Sequence, residues 1–189
     1  MLYGDLGFIR ELKQYGNVMA DPKIYEIPDD MEHGVRRILD AGADIVTVHC
    51  SPLWEPPMDL TDRVVGVTVL TSFDNTKCRE VYGTTPSLKV SWFMKRLVPF
   101  GYTYFVCSAA DLRSTAVSGL VKAGKVKPIC PSIRLSDQII EGDDQALARK
   151  VTPAQAIAYG AELIVVGRPI QTADDPVAVV DRINYETGM

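Results

Sequence analysis

One pattern, written twice, constrains this chain most. Ala41-Gly-Ala-Asp-Ile-Val-Thr-Val-His49 and Tyr159-Gly-Ala-Glu-Leu-Ile-Val-Val-Gly167 each place a glycine and an acid before an aliphatic run. The glycine reads as the stop of a helix and the aliphatic run as a strand. Two such units more than 100 residues apart predict a repeating β/α design, hence a TIM barrel. A doubly wound open sheet is the alternative architecture. Short apolar runs at 17–20, 44–49, 64–70, 103–107, 126–130 and 163–166 read as strands. Helical periodicity fills the gaps at 31–41, 87–98, 109–121 and 152–159. Thr152-Pro153 reads as an N-cap with proline at the first helical position, and Asp175-Pro176 opens the last helix. Regular alternation argues for a parallel sheet with crossover helices. No low-complexity stretch, linker or charge run divides residues 1–189, so one domain is expected.

Composition narrows the function classes. A net charge of −4 argues against a nucleic-acid footprint, although a local basic patch can still hold a phosphate. The four cysteines, Cys50, Cys78, Cys107 and Cys130, form no CxxC pair, and the chain has only two histidines. No zinc or other metal site is expected; these read as buried thiols in a reducing compartment. No apolar run approaches membrane-spanning length and no signal-peptide core opens the chain, so a cytoplasmic protein is expected. No GxGxxG opens a helix after a strand, which weakens a dinucleotide-binding reading.

Two places carry chemistry. Residues 18–28 set Asp21, Lys23 and Glu26 at the end of a short apolar strand. Strand side chains alternate, so Asp21 and Lys23 are expected on one face, with Glu26 aimed by the loop that follows. Such an acid–base–acid cluster suits proton transfer, and its carboxylates can repel or orient a charged substrate. An ordinary surface salt bridge explains it equally well. The second place is Val165-Val-Gly-Arg-Pro-Ile170, where Gly167 lets backbone amides approach an anion and Arg168 can bind phosphate through two parallel hydrogen bonds. Loops after the last two strands of TIM barrels often form a phosphate site, and Arg134 and Gln145 can join it. A solvated arginine on the barrel rim is the plainer reading of Arg168.

These residues carry a family resemblance. Asp21-Pro-Lys23-Ile-Tyr-Glu26-Ile-Pro28 resembles the Asp-x-Lys-x-x-Asp-Ile-Pro motif of orotidine 5′-phosphate decarboxylases. In order along the chain, 43–49, 67–72, 131–134, 144–145, 151–154 and 166–170 resemble further segments of that family. The resemblance implies a TIM (β/α)8-type barrel and a homodimer with shared active sites. It implies conversion of orotidine 5′-monophosphate to UMP and carbon dioxide without a cofactor. It implies that Lys23 protonates C6 of the pyrimidine and that Asp21 sits near the substrate carboxylate and holds Lys23. Glu26 would reach into the partner subunit's site. Thr71 would contact the pyrimidine, Gln145 and Arg168 would hold the phosphate, and Arg134 would lie near the loop that closes over it.

The departures are specific. The family begins with a strand carrying a substrate-binding aspartate, then a helix and a strand carrying a lysine of the catalytic network. This chain starts too late for the first strand and helix, and Met1–Gly4 match at best the tail of the second strand. Two of the four charged network residues therefore lack counterparts. Glu26 is one methylene longer than the family's aspartate, Asp29-Asp30 stand where the family usually has Asn-Thr, and Ser132 replaces a glycine of the phosphate loop. After His49 the chain runs into Cys-Ser-Pro-Leu-Trp54 rather than a small glycine-containing turn. Two origins fit: a shortened form of a working enzyme, or a divergent homologue. The alternative functions are a related magnesium-dependent sugar-phosphate decarboxylase or aldolase, and a non-catalytic nucleotide-binding homologue.

Overall fold

A computed structural model of the chain describes residues 6–135 and 151–188. In chain order the elements are α1 (Gly7–Lys13), β1 (Met19–Ile24), α2 (Pro28–Asp40), β2 (Ile45–His49), β3 (Val64–Val67), α3 (Asn75–Tyr82), α4 (Pro86–Leu97), β4 (Tyr104–Val106), α5 (Thr115–Lys122), β5 (Lys127–Cys130), α6 (Pro153–Ala158), β6 (Leu163–Ile164), α7 (Arg168–Gln171) and α8 (Pro176–Thr187). The strands follow one another in the sheet in chain order, β1-β2-β3-β4-β5-β6. The β1–β2, β2–β3 and β5–β6 pairs are parallel. A doubly wound sheet reverses its order at a switch point, whereas this order never reverses, as in a β/α barrel. Among the described residues the sheet has six strands. The expected tail of the second strand, Met1–Gly4, lies outside the described residues.

Contacts divide the chain into two compact units, one of residues 1–68 and 92–105, the other of 69–91 and 106–189. In the first unit, β3 is buried along its whole length, as a strand covered on both faces must be. Val46, Val48, Val64 and Val65 form its centre, with Met31 and Val35 of α2. Gly66 lets two side chains close over the strand: a Cβ there would lie 2.9 Å from Cys50 Sγ and 3.0 Å from the Phe105 ring. Gly66→Ala is therefore expected to cost about 1–3 kcal/mol through overpacking, read as a lowered urea midpoint at unchanged slope. In the second unit, Cys107, Leu112, Val117, Ile129, Cys130 and Ala156 are buried together. All four cysteines are buried thiols, as expected.

In both copies of the pattern the glycine ends a helix and the acid pairs with a lysine, but the strands differ: β2 is buried at its centre, whereas β6 is two residues long with Leu163 exposed. Gly42 (φ 113°) follows the C-cap of α2, and Gly160 (φ 98°) follows the C-cap of α6. The acid after each glycine then anchors the next strand. Asp44 pairs with Lys13 at 2.6 Å and accepts the Val18 N–H at 2.6 Å. The Lys13 ammonium, then the Val18 amide, hold its carboxyl below the usual range. Glu162 pairs with Lys127 at 3.1 Å.

Helix boundaries follow caps more closely than periodicity. α2 begins at Pro28 rather than 31, because Ile27 is its extended N-cap and proline fits the first turn. Asp29 and Asp30 then sit in that first turn, where the helix dipole favours acids. The N-cap expected at Thr152 is present and the structure extends it to a capping box, with Gln155 returning the bond, and Asp175 caps α8 through the Ala178 N–H. The helix expected at 109–121 is two pieces: a 3-10 turn at Ala109–Arg113, then α5. Ser114 between them is extended (ψ 133°), a break that apolar spacing does not register. The helices α1 and α3 were not expected; α3 is capped by Asp74, which accepts the Lys77 N–H at 2.8 Å.

Candidate active site

The expected acid–base cluster sits on a distortion of β1. Pairing with β2 runs Met19↔Ile45 and Ala20↔Val46, then resumes at Ile24↔Val48. Asp21, Pro22 and Lys23 thus face Thr47 alone. Pro22 has no N–H to offer a ladder, and Lys23 turns into the left-handed region at φ 51°. The bulge, rather than simple alternation, brings the two side chains together: Lys23 Nζ donates to Asp21 Oδ2 at 2.6 Å. Thr47 Oγ1 accepts the Lys23 N–H at 2.9 Å and donates to Asp21 Oδ1 at 2.8 Å.

Magnitudes decide how to read this arrangement. Left-handed backbone costs a non-glycine residue roughly 1–2 kcal/mol. The ion pair leaves Lys23 41% and Asp21 46% exposed, and a pair so exposed contributes about 0–1 kcal/mol. The salt bridge therefore does not repay the strain that places it. Strain held at an exposed charged pair marks a functional site more often than a structural one.

Beside this pair, at the ends of β1 and β2, Tyr25 packs edge-on against His49 with ring centroids 5.3 Å apart. The Ser51 N–H donates to His49 Nδ1 at 3.1 Å, which leaves the ring proton on Nε2. Burial lowers the His49 pKa, so the ring stays neutral near pH 7. Glu26 is exposed in the bend after β1, as expected, and lines an open cleft with Asp30, His33, Gly34 and Arg37.

The second unit holds the other expected residues. Thr71 lies half-buried in the turn that follows 64–70; β3 itself ends at Val67, three residues earlier than the apolar run suggested. Ser132, buried, adopts φ 66°, the conformation a glycine takes without cost. Arg134 is 9% exposed, and its Nη1 donates to the Ile133 carbonyl at 2.8 Å, so its head turns onto the main chain. Ile133 bridges to Val151, and the Arg134 N–H donates to the Val151 carbonyl at 3.1 Å. Gly167 is the N-cap of α7, and Arg168 and the buried Pro169 are its first two residues. Thr172 Oγ1 donates to the Arg168 carbonyl at 2.9 Å. Gln145 lies outside the described residues.

Sequence reasoning did not single out Thr47. Its signal was faint: a threonine inside an aliphatic strand is what β-propensity alone would place there. The pairing of β2 with the Asp-Pro-Lys segment gives it a role.

Likeness to known proteins identifies the family. Residues 1–183 match the family model described as "Orotidine 5'-phosphate decarboxylase / HUMPS family". The chain is 32% identical over 189 residues to orotidine 5′-phosphate decarboxylase of Pseudoalteromonas translucida strain TAC 125, covering 94% of this chain and 78% of the relative. It is 34% identical over 196 residues to the enzyme of that name from Methylorubrum extorquens strain PA1, covering 97% and 78%. Among solved structures, orotidine 5′-phosphate decarboxylase from Lactobacillus acidophilus superposes with a TM-score of 0.73 at 22% identity, covering 98% of this chain and 82% of that one. An uncharacterized conserved protein from Geobacillus kaustophilus superposes with a TM-score of 0.69 at 22% identity, covering 96% and 81%. These structures share the barrel-type fold, and the extent of the family match settles membership: the chain belongs to the orotidine 5′-phosphate decarboxylase / HUMPS family.

Proposed function

We propose that this protein decarboxylates orotidine 5′-monophosphate to UMP and carbon dioxide in de novo pyrimidine biosynthesis, without a cofactor. The observation that carries the reading is the Asp21–Lys23 pair, held at 2.6 Å on a strained bulge inside the motif that resembles the family's. In the proposed step the bond from C6 to the carboxylate breaks and its electron pair stays on C6. The Lys23 ammonium delivers its proton to that carbon as carbon dioxide leaves. Asp21 stands beside the substrate carboxylate, raising its energy, while it keeps the ammonium aimed. Arg168 and Gln145 hold the phosphate, with Gly167 leaving room for it, and Thr71 contacts the pyrimidine. Arg134, with its head on the main chain, shapes the strand end near the closing loop. Binding energy gained at the phosphate stabilises the charged, desolvated centre.

The family model spans both compact units, which supports one catalytic domain across residues 1–183. A cytoplasmic homodimer with shared sites completes the reading; among the described residues no helix is long and apolar enough to cross a membrane. The direct test is loss of the orotate absorbance on addition of orotidine 5′-monophosphate, with and without EDTA. Turnover unaffected by EDTA supports the decarboxylase. Activity only on a sugar phosphate with magnesium points to the metal-dependent relative, and UMP binding without turnover to a nucleotide-binding homologue.

Glu26 tests the shared site. Mixing inactive Lys23→Ala with inactive Glu26→Ala is expected to restore activity, because a hybrid dimer has one site carrying neither substitution. The experiment belongs on this chain and on the longest in-frame product of its gene. No recovery despite demonstrated subunit exchange would place Glu26 in its own chain's site or outside catalysis.

A further inference from the structure

We infer that Thr47 is the positioning residue of the Asp21–Lys23 pair: its buried hydroxyl clamps the β1 bulge from the neighbouring strand. This deepens the decarboxylase reading and rests on it for its catalytic consequence. Thr47 is fully buried between Val46 and Val48, which are also fully buried. A third valine would suit such a strand, and a buried hydroxyl is costly unless it is bonded. Both bonds of this hydroxyl go to the bulge, one from the Lys23 amide and one to Asp21 Oδ1. The bulge takes Lys23 out of the regular ladder, and the hydroxyl supplies its amide with a partner. Asp21 is then held at both oxygens, by the Thr47 hydroxyl at Oδ1 and by the Lys23 ammonium at Oδ2. One side chain thus fixes the strained φ of Lys23 and the plane of the carboxylate that aims its ammonium. Thr47 touches neither substrate nor reacting carbon in this scheme; it acts through the pair.

The test uses Thr47→Val, which keeps the shape and removes the hydroxyl, and Thr47→Ser, which keeps the hydroxyl. Amide hydrogen exchange at Lys23 reads the clamp without any substrate. The parent is expected to protect this amide, Thr47→Val to exchange it about tenfold faster or more, and Thr47→Ser to protect it nearly as well as the parent. Turnover reads the consequence: kcat for orotidine 5′-monophosphate is expected to fall roughly 10- to 100-fold in Thr47→Val at little changed KM, and to recover in Thr47→Ser. A Lys23 amide that exchanges freely in the parent overturns the proposal, even if Thr47→Val fails to fold. So does a folded Thr47→Val with parental kcat, or a folded Thr47→Ser that loses both protection and turnover. A parent that folds and protects Lys23 but does not turn over substrate defeats the decarboxylase reading, while the exchange data still decide the clamp.

Discussion

Lys23→Ala is expected to reduce decarboxylation of orotidine 5′-monophosphate by at least roughly 100- to 10,000-fold, the range set by losing a positioned proton donor. The fold should survive. The ion pair that disappears is about half exposed, so it contributes about 0–1 kcal/mol of stability. Asp21 keeps the Thr47 hydroxyl as a partner, and the backbone bond from residue 23 to Thr47 does not depend on the lysine side chain. UMP affinity should stay near that of the parent, because the proposed phosphate grip is made by other residues. Single-turnover kinetics beside calorimetric titration with UMP separates the two quantities. Turnover within a few-fold of the parent would remove Lys23 as the proton donor. Parallel loss of turnover and UMP binding would make it a binding residue instead.

For Arg168→Ala the large effect is on binding. A guanidinium that grips a phosphate with two charged hydrogen bonds contributes about 2–3 kcal/mol, so UMP affinity is expected to fall roughly 30- to 150-fold. Uridine, which lacks the phosphate, should bind the variant and the parent alike. Arg168 opens the short helix α7, whose backbone is held by its own bonds and by Thr172, so local structure should persist without the guanidinium. Calorimetry with both ligands gives the answer: equal losses for UMP and uridine would mean that Arg168 acts on structure and not on phosphate. Arg134 offers a contrast, since its head already donates to the Ile133 carbonyl and its side chain is buried. Substituting Arg168 rather than Arg134 therefore tests phosphate binding with less disturbance of the strand end.

The local pattern was enough to place the strands, to find the caps at Thr152 and Asp175, and to identify the repeated glycine–acid–strand unit. Those features depend on a residue and its close neighbours in the chain: an αL-tolerant glycine after a helix, a hydroxyl or carboxylate before one, an aliphatic run that favours a strand. The pairing of Asp21 with Lys23 was legible for the same reason, because charges at the end of an apolar strand stand out against their surroundings. The strand limits were less so. The apolar run at 64–70 continues past Val67, where ladder pairing stops, since apolar residues fill a buried turn as readily as a strand.

What the linear sequence could not contain was the bulge. Alternation put Asp21 and Lys23 on one face, but the structure joins them by inserting extra residues opposite Thr47, with Lys23 at positive φ. A register shift is a relation between two strands whose partners lie 24 to 26 residues apart, and neither strand states it alone. The sequence by itself determined the β/α plan, the charged motif and the family to which both point. Only the tertiary structure decided that a buried threonine from the next strand holds that motif in place, because the geometry of the pair comes from hydrogen bonds that exist only once β1 and β2 are paired.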